Sequence, residues 1–221
     1  MRRFAILSII CAAIVSAFGQ ITDAAASATL PIAEFRQVCQ QAVAHAEARR
    51  DVPKDLLTAI SYAESGQWDS ANRATIAWPW TVTSGGEGHF FPDKQSAVRY
   101  VRKLQRAGVR NIDVGCMQIN LQYHPDAFAS VEDALDPQAN ALYAARFLEG
   151  LHRKNYSWWE AIRRYHSADP RHGNPYHQRV LKFWNATKRV SAEAYRQSVI
   201  DAYRQRRAEL AKARTEANAR Q

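Results

Sequence analysis

The sequence predicts a mainly α-helical domain that carries a small β-hairpin insertion. Apolar residues recur at intervals of three and four over most of the chain, which is the spacing of one buried helix face. Several of these segments begin with a residue that caps helices and end at a glycine. A glycine-rich segment between residues 74 and 92 breaks the pattern with aromatic and β-branched residues, which is typical of a hairpin.

The first half of the chain contains three predicted helices. Residues 32–50 form the first, with apolar side chains along one face. Pro53 occupies a first-turn position of the second helix, which ends before Gly66. The third helix follows the hairpin and has Asp93 as its N-cap and Gly108 as its stop.

The second half is also helical. Asp136 and Pro137 are suited to the N-cap and first position of one helix. Ser157 and Glu160 form a capping box for the next helix. Residues 174–185 then begin another helix.

The N-terminus has the features of an export signal. Arg2 and Arg3 precede a short apolar run, and small residues at 24–28 favour cleavage after Ala28, with Gly19 as second choice. We therefore expect an exported protein of the periplasm or cell envelope.

The predicted organisation has three parts. Residues 1–28 are the signal peptide, residues 29–185 form the domain with its insertion at about 74–110, and residues 186–221 form a basic helical tail. The net charge of +9 favours an anionic envelope polymer or membrane surface as counterpart. An envelope-spanning machine could be contacted through the tail, whereas export argues against nucleic acid.

The cysteine and histidine content predicts no metal site and no cofactor, because the clusters and spacings typical of metal ligands are absent. Only Cys39 and Cys116 remain after signal removal. They allow one disulfide in an oxidising compartment. The apolar context of Cys116 favours two buried free thiols instead.

Glu64 is the candidate for chemistry. Glu64 lies four residues after Ile60, which lies three residues after Leu57, so a helix places all three on one face, and that face should point into the protein. Burial raises the pKa of a carboxyl group, as the acid of a glycosidase requires. A capping or ion-paired role is the alternative for Glu64 alone. Asp69 and Asp113 are candidates for a second carboxylate.

Four motifs occur in order: ESG at 64–66, GCMQIN at 115–120, NALYAARFL at 140–148 and AIRRYHS at 161–167. Together they resemble the soluble lytic transglycosylase family, which has a lysozyme-like catalytic domain. The resemblance covers residues from about 40 to 185. It implies a mainly α, lysozyme-like transglycosylase domain that cleaves the β-1,4 bond between MurNAc and GlcNAc of peptidoglycan glycan strands and forms 1,6-anhydroMurNAc.

The resemblance also implies roles for residues. Glu64 would be the single general acid and base, because the N-acetyl group of the substrate replaces a second carboxylate. The substrate would be bound by residues of three of these motifs: Ser65, Gln118, Asn120, Tyr165 and His166.

Three features depart from the family pattern. Cys116 stands where leucine is usual, and His166 where asparagine is frequent. The interval of 51 residues between Glu64 and Gly115 is roughly twice that of many relatives. The excess contains four aromatic residues that fit either the core of the insertion or a sugar-stacking wall: Trp78, Trp80, Phe90 and Phe91.

Two other functions remain open on the same residues. A lysozyme-type hydrolase would differ only in letting water intercept the intermediate. A non-catalytic glycan-binding scaffold of the envelope would bind the strands without cutting them.

Overall fold

A computed structural model describes residues 32–218. The helices are α1 (Ile32–Glu47), α2 (Leu56–Ser65), α3 (Lys94–Arg106), α4 (Val131–Ala134), α5 (Pro137–Asn155), α6 (Trp158–His166) and α7 (Pro170–Asn218). The strands are β1 (Gly66–Asp69), β2 (Ala74–Ala77), β3 (Thr81–Ser84), β4 (Glu87–Phe90), β5 (Ile112–Val114) and β6 (Ile119–Asn120). The predicted mainly α fold class is confirmed. The predicted signal peptide lies outside the described residues.

The main core is formed by helices that pack around α2. Helix α1 packs on α5, α2 packs on α7, and α6 contacts both α5 and α7. Leu57 and Ile60 are fully buried in this core together with Val43, Leu148 and Ile162. The apolar stripe read from the sequence of α2 therefore faces the interior, and its last turn carries Glu64.

Most helix starts agree with the sequence. Asp93 accepts a hydrogen bond from the amide of Ser96 (2.7 Å), and Asp136 caps α5. The start of α2 was predicted wrongly, because the helix begins at Leu56 and not at Pro53. The Glu47 carboxylate accepts from the amides of Asp55 and Leu57, which fixes the first turn at this point.

The predicted hairpin is present as β3 and β4. Its two-residue turn is Gly85–Gly86, where both φ angles are positive (62° and 83°), a conformation that favours glycine. The sheet continues to β5 and β6 in the order β4-β3-β5-β6. A second hairpin, β1–β2, follows α2 directly and was not predicted.

Both tryptophans of the insertion belong to its core, whereas Phe90 is 43% exposed. Trp78 stacks on Phe35 of α1 with ring centroids 4.2 Å apart, and its indole donates to the carbonyl of Phe91 (2.7 Å). Trp80 meets the edge of Phe35 and packs against a second apolar cluster around Val82 and its neighbours. The two tryptophans thus attach the insertion to the helices, as the core interpretation expected.

Cys39 and Cys116 form a disulfide, so the expectation of two free thiols was wrong. Cys39 lies on the buried face of α1, and Cys116 lies in the buried turn between β5 and β6. Their Cα atoms are 5.7 Å apart although 77 residues separate them along the chain. Buried apolar surroundings suit a thiol and a disulfide equally, so composition could not decide between them.

Helix α7 runs without a break through residues 185 and 186, where the sequence predicted the tail to begin. Its first half packs on α2 and α6, and Trp184 donates to the carbonyl of Lys54 (2.9 Å). Every residue from 192 to 216 is exposed. No helix within residues 32–218 combines the length and apolar character needed to span a membrane.

We expect the disulfide to stabilise the folded domain. Replacing Cys39 and Cys116 together by alanine should lower the free energy of unfolding by about 2–4 kcal/mol, because the cross-link restricts a long loop in the unfolded chain. The melting temperature should fall by roughly 4–16 °C. Thermal unfolding with and without reductant measures this, and the double variant is the control that reductant should leave unchanged. An unchanged melting temperature would contradict a stabilising role.

Candidate active site

A cleft of about 730 Å³ opens where the end of α2 meets the sheet and helices α6 and α7. Its lining brings together residues from widely separated parts of the sequence: Ala63, Glu64, Thr83, Gly86, Asn111, Asp113, Gln118, Ile119, Asn120, Tyr123, His124, Phe147, Arg164, Tyr165, His166, Ser167, Ala168 and Arg179. Five of the six site residues predicted from the sequence are among them.

The end of α2 presents Glu64 to the cleft. Gly66 follows the helix directly, and a Cβ atom there would lie 2.1 Å from the carbonyl oxygen of Tyr62. Only glycine therefore allows the chain to leave the helix so closely. The turn leaves the side chain of Glu64 partly exposed at the cleft and not covered by another helical turn.

The surroundings of Glu64 favour its protonated form. Burial is the largest effect and raises its pKa from the ordinary 4.5 to about 7. The negative charge of Asp113 acts in the same direction. The hydroxyl of Tyr176 and the positive charge of Arg179 oppose it by stabilising the carboxylate. The net result is a carboxyl group that can hold or release a proton near neutral pH.

Tyr176 is a site residue that the sequence analysis missed. Its hydroxyl is buried and has no hydrogen-bond partner of normal geometry among residues 32–218; Glu64 is the polar group that it approaches. The ring of Tyr176 stacks on His166 with centroids 4.7 Å apart. Tyr176 and Arg179 are three residues apart and share one face of α7, but they reach the cleft only because α7 packs on α2, so their spacing could not indicate them.

The side chain of Asn140 on α5 fixes the turn at residues 115–118 through hydrogen bonds. The buried Asn140 side chain accepts from the amide of Met117 (2.9 Å) and donates to the carbonyls of Val114 and Ala134 (both 3.0 Å). Gly115 has φ +84°, and a Cβ atom there would lie 2.6 Å from the Asn140 side chain. The GCMQIN and NALYAARFL motifs thus form one structural unit.

The side chains of Gln118 and Asn120 line the cleft, but most of their polar atoms are engaged. The Gln118 amide donates to the carbonyls of Thr81 and Gly115, and its oxygen accepts from the Thr83 hydroxyl (2.5 Å). Asn120 donates to Asp113 (2.9 Å). These bonds fix the shape of the cleft wall and the position of the Asp113 carboxylate.

Tyr165 and His166 lie on the opposite wall, at the end of α6. The Tyr165 hydroxyl donates to the carbonyl of Met117 (2.9 Å), which ties α6 to the turn. Burial raises the pKa of Tyr165, so its phenol stays neutral. Burial lowers the pKa of His166, and the charge of Arg179 adds to this effect.

Ser65 does not reach the cleft. It is 1% exposed, and its hydroxyl donates to the carbonyl of Cys116 (2.8 Å). This bond joins the end of α2 to the turn that carries Gln118. The position of Ser65 is therefore that of a structural contact between two motifs and not of a group that touches a ligand.

The two candidates for a second carboxylate differ in position. Asp69 lies at the end of β1, where its side chain accepts from the amides of Ala71 and Asn72 and shapes the β1–β2 turn. Asp113 lines the same cleft as Glu64, and burial raises its pKa. The cleft therefore contains one carboxyl group in addition to Glu64 that could take part in proton transfer.

The order of the motifs and the geometry of the cleft agree with one comparison to known proteins. A sequence model of the transglycosylase SLT domain matches residues 41–179, which is more than half of the chain. The chain belongs to the transglycosylase SLT domain family. This membership confirms the lysozyme-like fold expected from the sequence and indicates transglycosylase-type activity on peptidoglycan, and hence a place in the cell envelope. No curated protein and no solved structure matches the chain significantly.

In this member of the SLT family we expect Glu64 to destabilise the folded state at neutral and higher pH. Its folded pKa of about 7 exceeds the unfolded value of 4.5. Below pH 4.5 Glu64 is protonated in both states and does not lower the stability of the fold. As the pH rises through 7, ionisation of Glu64 lowers the free energy of unfolding. Glu64→Gln, which cannot ionise, should gain about 2–3 kcal/mol of unfolding free energy relative to wild type between pH 5 and 8.

Denaturant unfolding at several pH values measures this difference. Glu160→Gln is the matched control, because ion pairs with Arg163 and Arg164 lower the pKa of Glu160, and its charge is constant across this pH range. If the difference in unfolding free energy between Glu64→Gln and wild type did not change with pH, the pKa of Glu64 would not be raised.

Proposed function

We propose that the chain is a lytic transglycosylase that cleaves the β-1,4 bond between MurNAc and GlcNAc and forms 1,6-anhydroMurNAc, with Glu64 as the single general acid and base. The observation that supports this most strongly is the position of Glu64, half-buried at the cleft with a pKa of about 7. A group with this pKa is protonated often enough to act as an acid and ionised often enough to act as a base at neutral pH.

In the first step, Glu64 donates its proton to the glycosidic oxygen, which leaves as the 4-hydroxyl of GlcNAc. The N-acetyl oxygen of MurNAc attacks C1 from the same sugar, so that no protein nucleophile is needed. The Glu64 carboxylate formed in this step is stabilised by the Tyr176 hydroxyl and by the charge of Arg179.

In the second step, Glu64 takes the proton of the muramyl O6 hydroxyl. The O6 atom then attacks C1, and the bond from C1 to the N-acetyl oxygen breaks. Glu64 ends protonated, as it began, and no water is consumed. A single carboxyl group thus serves both steps, provided that its environment does not fix it in either state.

Hydrolysis of the same bond is a second candidate, supported by the position of Asp113. Its carboxylate lines the cleft and is oriented by the amide of Asn120. If Asp113 activated a water molecule, water and not O6 would attack C1, and the product would have a reducing end. The transglycosylase needs no such group, and Asp113 would then act through its charge on Glu64.

The Glu64→Gln substitution tests the proposal. We expect loss of turnover by at least 10²-fold with retained folding and glycan binding, because the amide is nearly isosteric but is not an acid. Mass spectrometry of muropeptides released by wild type should show anhydro ends, one water lighter than the hydrolytic product. Asp69→Asn is the matched control, since Asp69 lies in the β1–β2 turn and does not line the cleft, and it should keep full activity.

Three outcomes would contradict this proposal in different ways. Substantial activity of Glu64→Gln would remove Glu64 from the mechanism. Reducing ends that disappear with Asp113→Asn would identify a hydrolase. Glycan binding by wild type without any cleavage would identify a glycan-binding scaffold.

We also propose that the tail of α7 docks the enzyme to an anionic partner in the envelope, such as a component of an envelope-spanning machine. Residues 186–221 contain nine Lys and Arg against four Asp and Glu. The exposed part also carries apolar side chains near one face, namely Tyr195, Val199, Ile200, Tyr203 and Leu210. Such a face stabilises nothing within the described domain, whereas a partner could cover it.

Truncation after Val190 tests the role of the tail. The shortened protein should keep its activity on soluble glycan fragments, and its melting temperature should fall by less than about 10 °C, because residues 192–216 are exposed. Trp184→Ala is the comparison, since Trp184 still contacts the domain and should cost stability. A larger loss of stability on truncation would show that the tail packs on the domain.

A further inference from the structure

Arg179 is a cation in the cleft that donates no proton in the proposed reaction. It lies on α7, one turn after Tyr176, and its guanidinium carbon is 5.3 Å from the centroid of the Tyr176 ring. It lines the same cleft as Glu64 but forms no ion pair with any residue between 32 and 218. Arg164, another cation of the cleft, is instead paired with Glu160 at 3.0 Å.

The aromatic contact orients Arg179 without satisfying its charge. The ring of Tyr176 is itself fixed, because it is buried and stacks on His166. A guanidinium held over an aromatic ring keeps its planar set of N–H donors for another acceptor. Arg179 is thus pre-organised to bind an anion that enters the cleft beside Glu64.

The glycan of the proposed substrate has carboxylates in one place only. The sugar rings are neutral, but each muramic acid carries a lactyl ether. Its carboxyl group is either free or linked to a peptide that has carboxylates of its own. We infer that Arg179 binds a carboxylate of this lactyl-peptide substituent and so makes the cleft selective for anionic over neutral glycan. The inference rests on the proposed function for the identity of the glycan.

Binding of such a carboxylate has a consequence for the acid. In the free protein the charge of Arg179 lowers the pKa of Glu64. A substrate carboxylate paired with Arg179 offsets that charge, so Glu64 should hold its proton to higher pH in the complex than in the free enzyme. The other titratable or charged groups of the cleft come from β5, the segment after β6, α6 and α7: Asp113, Tyr123, His124, Arg164, Tyr165, His166 and Tyr176.

The test compares three matched substrates: strands with stem peptides, strands freed of peptides by an amidase, and the freed strands with lactyl carboxylates converted to carboxamides. The variants are Arg179→Gln, Arg179→Lys and the control Lys182→Gln. Lys182 lies on the same helix but faces a different groove, beside Tyr62 and Trp68. Binding is also measured with Glu64→Gln as background, so that charge preference can be read without turnover.

We expect wild type and Lys182→Gln to process anionic strands about 10–100-fold better than carboxamide strands, as a charge-assisted hydrogen bond allows. Arg179→Gln should remove this preference, and Arg179→Lys should restore part of it. A preference for freed over carboxamide strands identifies the lactyl carboxylate as the anion. A preference for peptide-bearing strands alone identifies a peptide carboxylate.

The pH profiles add a readout that a merely structural role would not change. For anionic strands, the alkaline limb of kcat should lie at higher pH than that of kcat/KM, since the two report the complex and the free enzyme. The pH difference between the alkaline limbs of kcat and kcat/KM should vanish for carboxamide strands and for Arg179→Gln.

Equal loss of activity on all three substrates in Arg179→Gln, or an unchanged preference for anionic strands, would overturn the inference. Failure of the proposed function has a different signature. The protein would then cut no strand, yet the Glu64→Gln background would still show whether binding of strands depends on their charge and on Arg179.

Discussion

The site depends on the half-buried Glu64 carboxyl group, which has no ion-pair partner among residues 32–218. A carboxylate with a close cation would stay ionised and could not donate a proton, whereas a fully enclosed acid could not return to the carboxylate. Glu64 lies between these limits, because burial raises its pKa while Tyr176 and Arg179 lower it. Burial of Glu64, two residues of α7 and the charge of Asp113 together place the pKa of this acid near neutrality.

The surrounding structure keeps the cleft open at this carboxyl group. Ser65 bonds to the carbonyl of Cys116, Asn140 supports the same turn from α5, and the disulfide with Cys39 attaches it to α1. The turn that follows Gly115 is therefore fixed by three elements that are distant in sequence.

The sequence predicted local features well and long-range pairing poorly. The apolar stripe of α2, the caps of α3 and α5 and the Gly85–Gly86 hairpin follow from residues close in the chain, so their patterns were sufficient. Pairing of Cys39 with Cys116 depends on the packing of α1, which no local pattern reports.

Long-range packing also limited what the sequence could predict about the candidate site. The motifs indicated Glu64 and Gln118, but Ser65 turned away into the core. Tyr176 and Arg179 reach the cleft only because α7 packs on α2, a contact between segments more than a hundred residues apart. Residues brought in by such packing cannot be found from spacing alone.

The proposed mechanism requires that the Glu64 carboxyl group exchanges its proton near neutral pH. Carbon-13 NMR of protein labelled at the glutamate carboxyl carbon measures this directly, with Glu64→Gln to assign the signal. We expect a titration midpoint near 7 for this one signal. A midpoint near 4.5, the value of an ordinary glutamate, would contradict it.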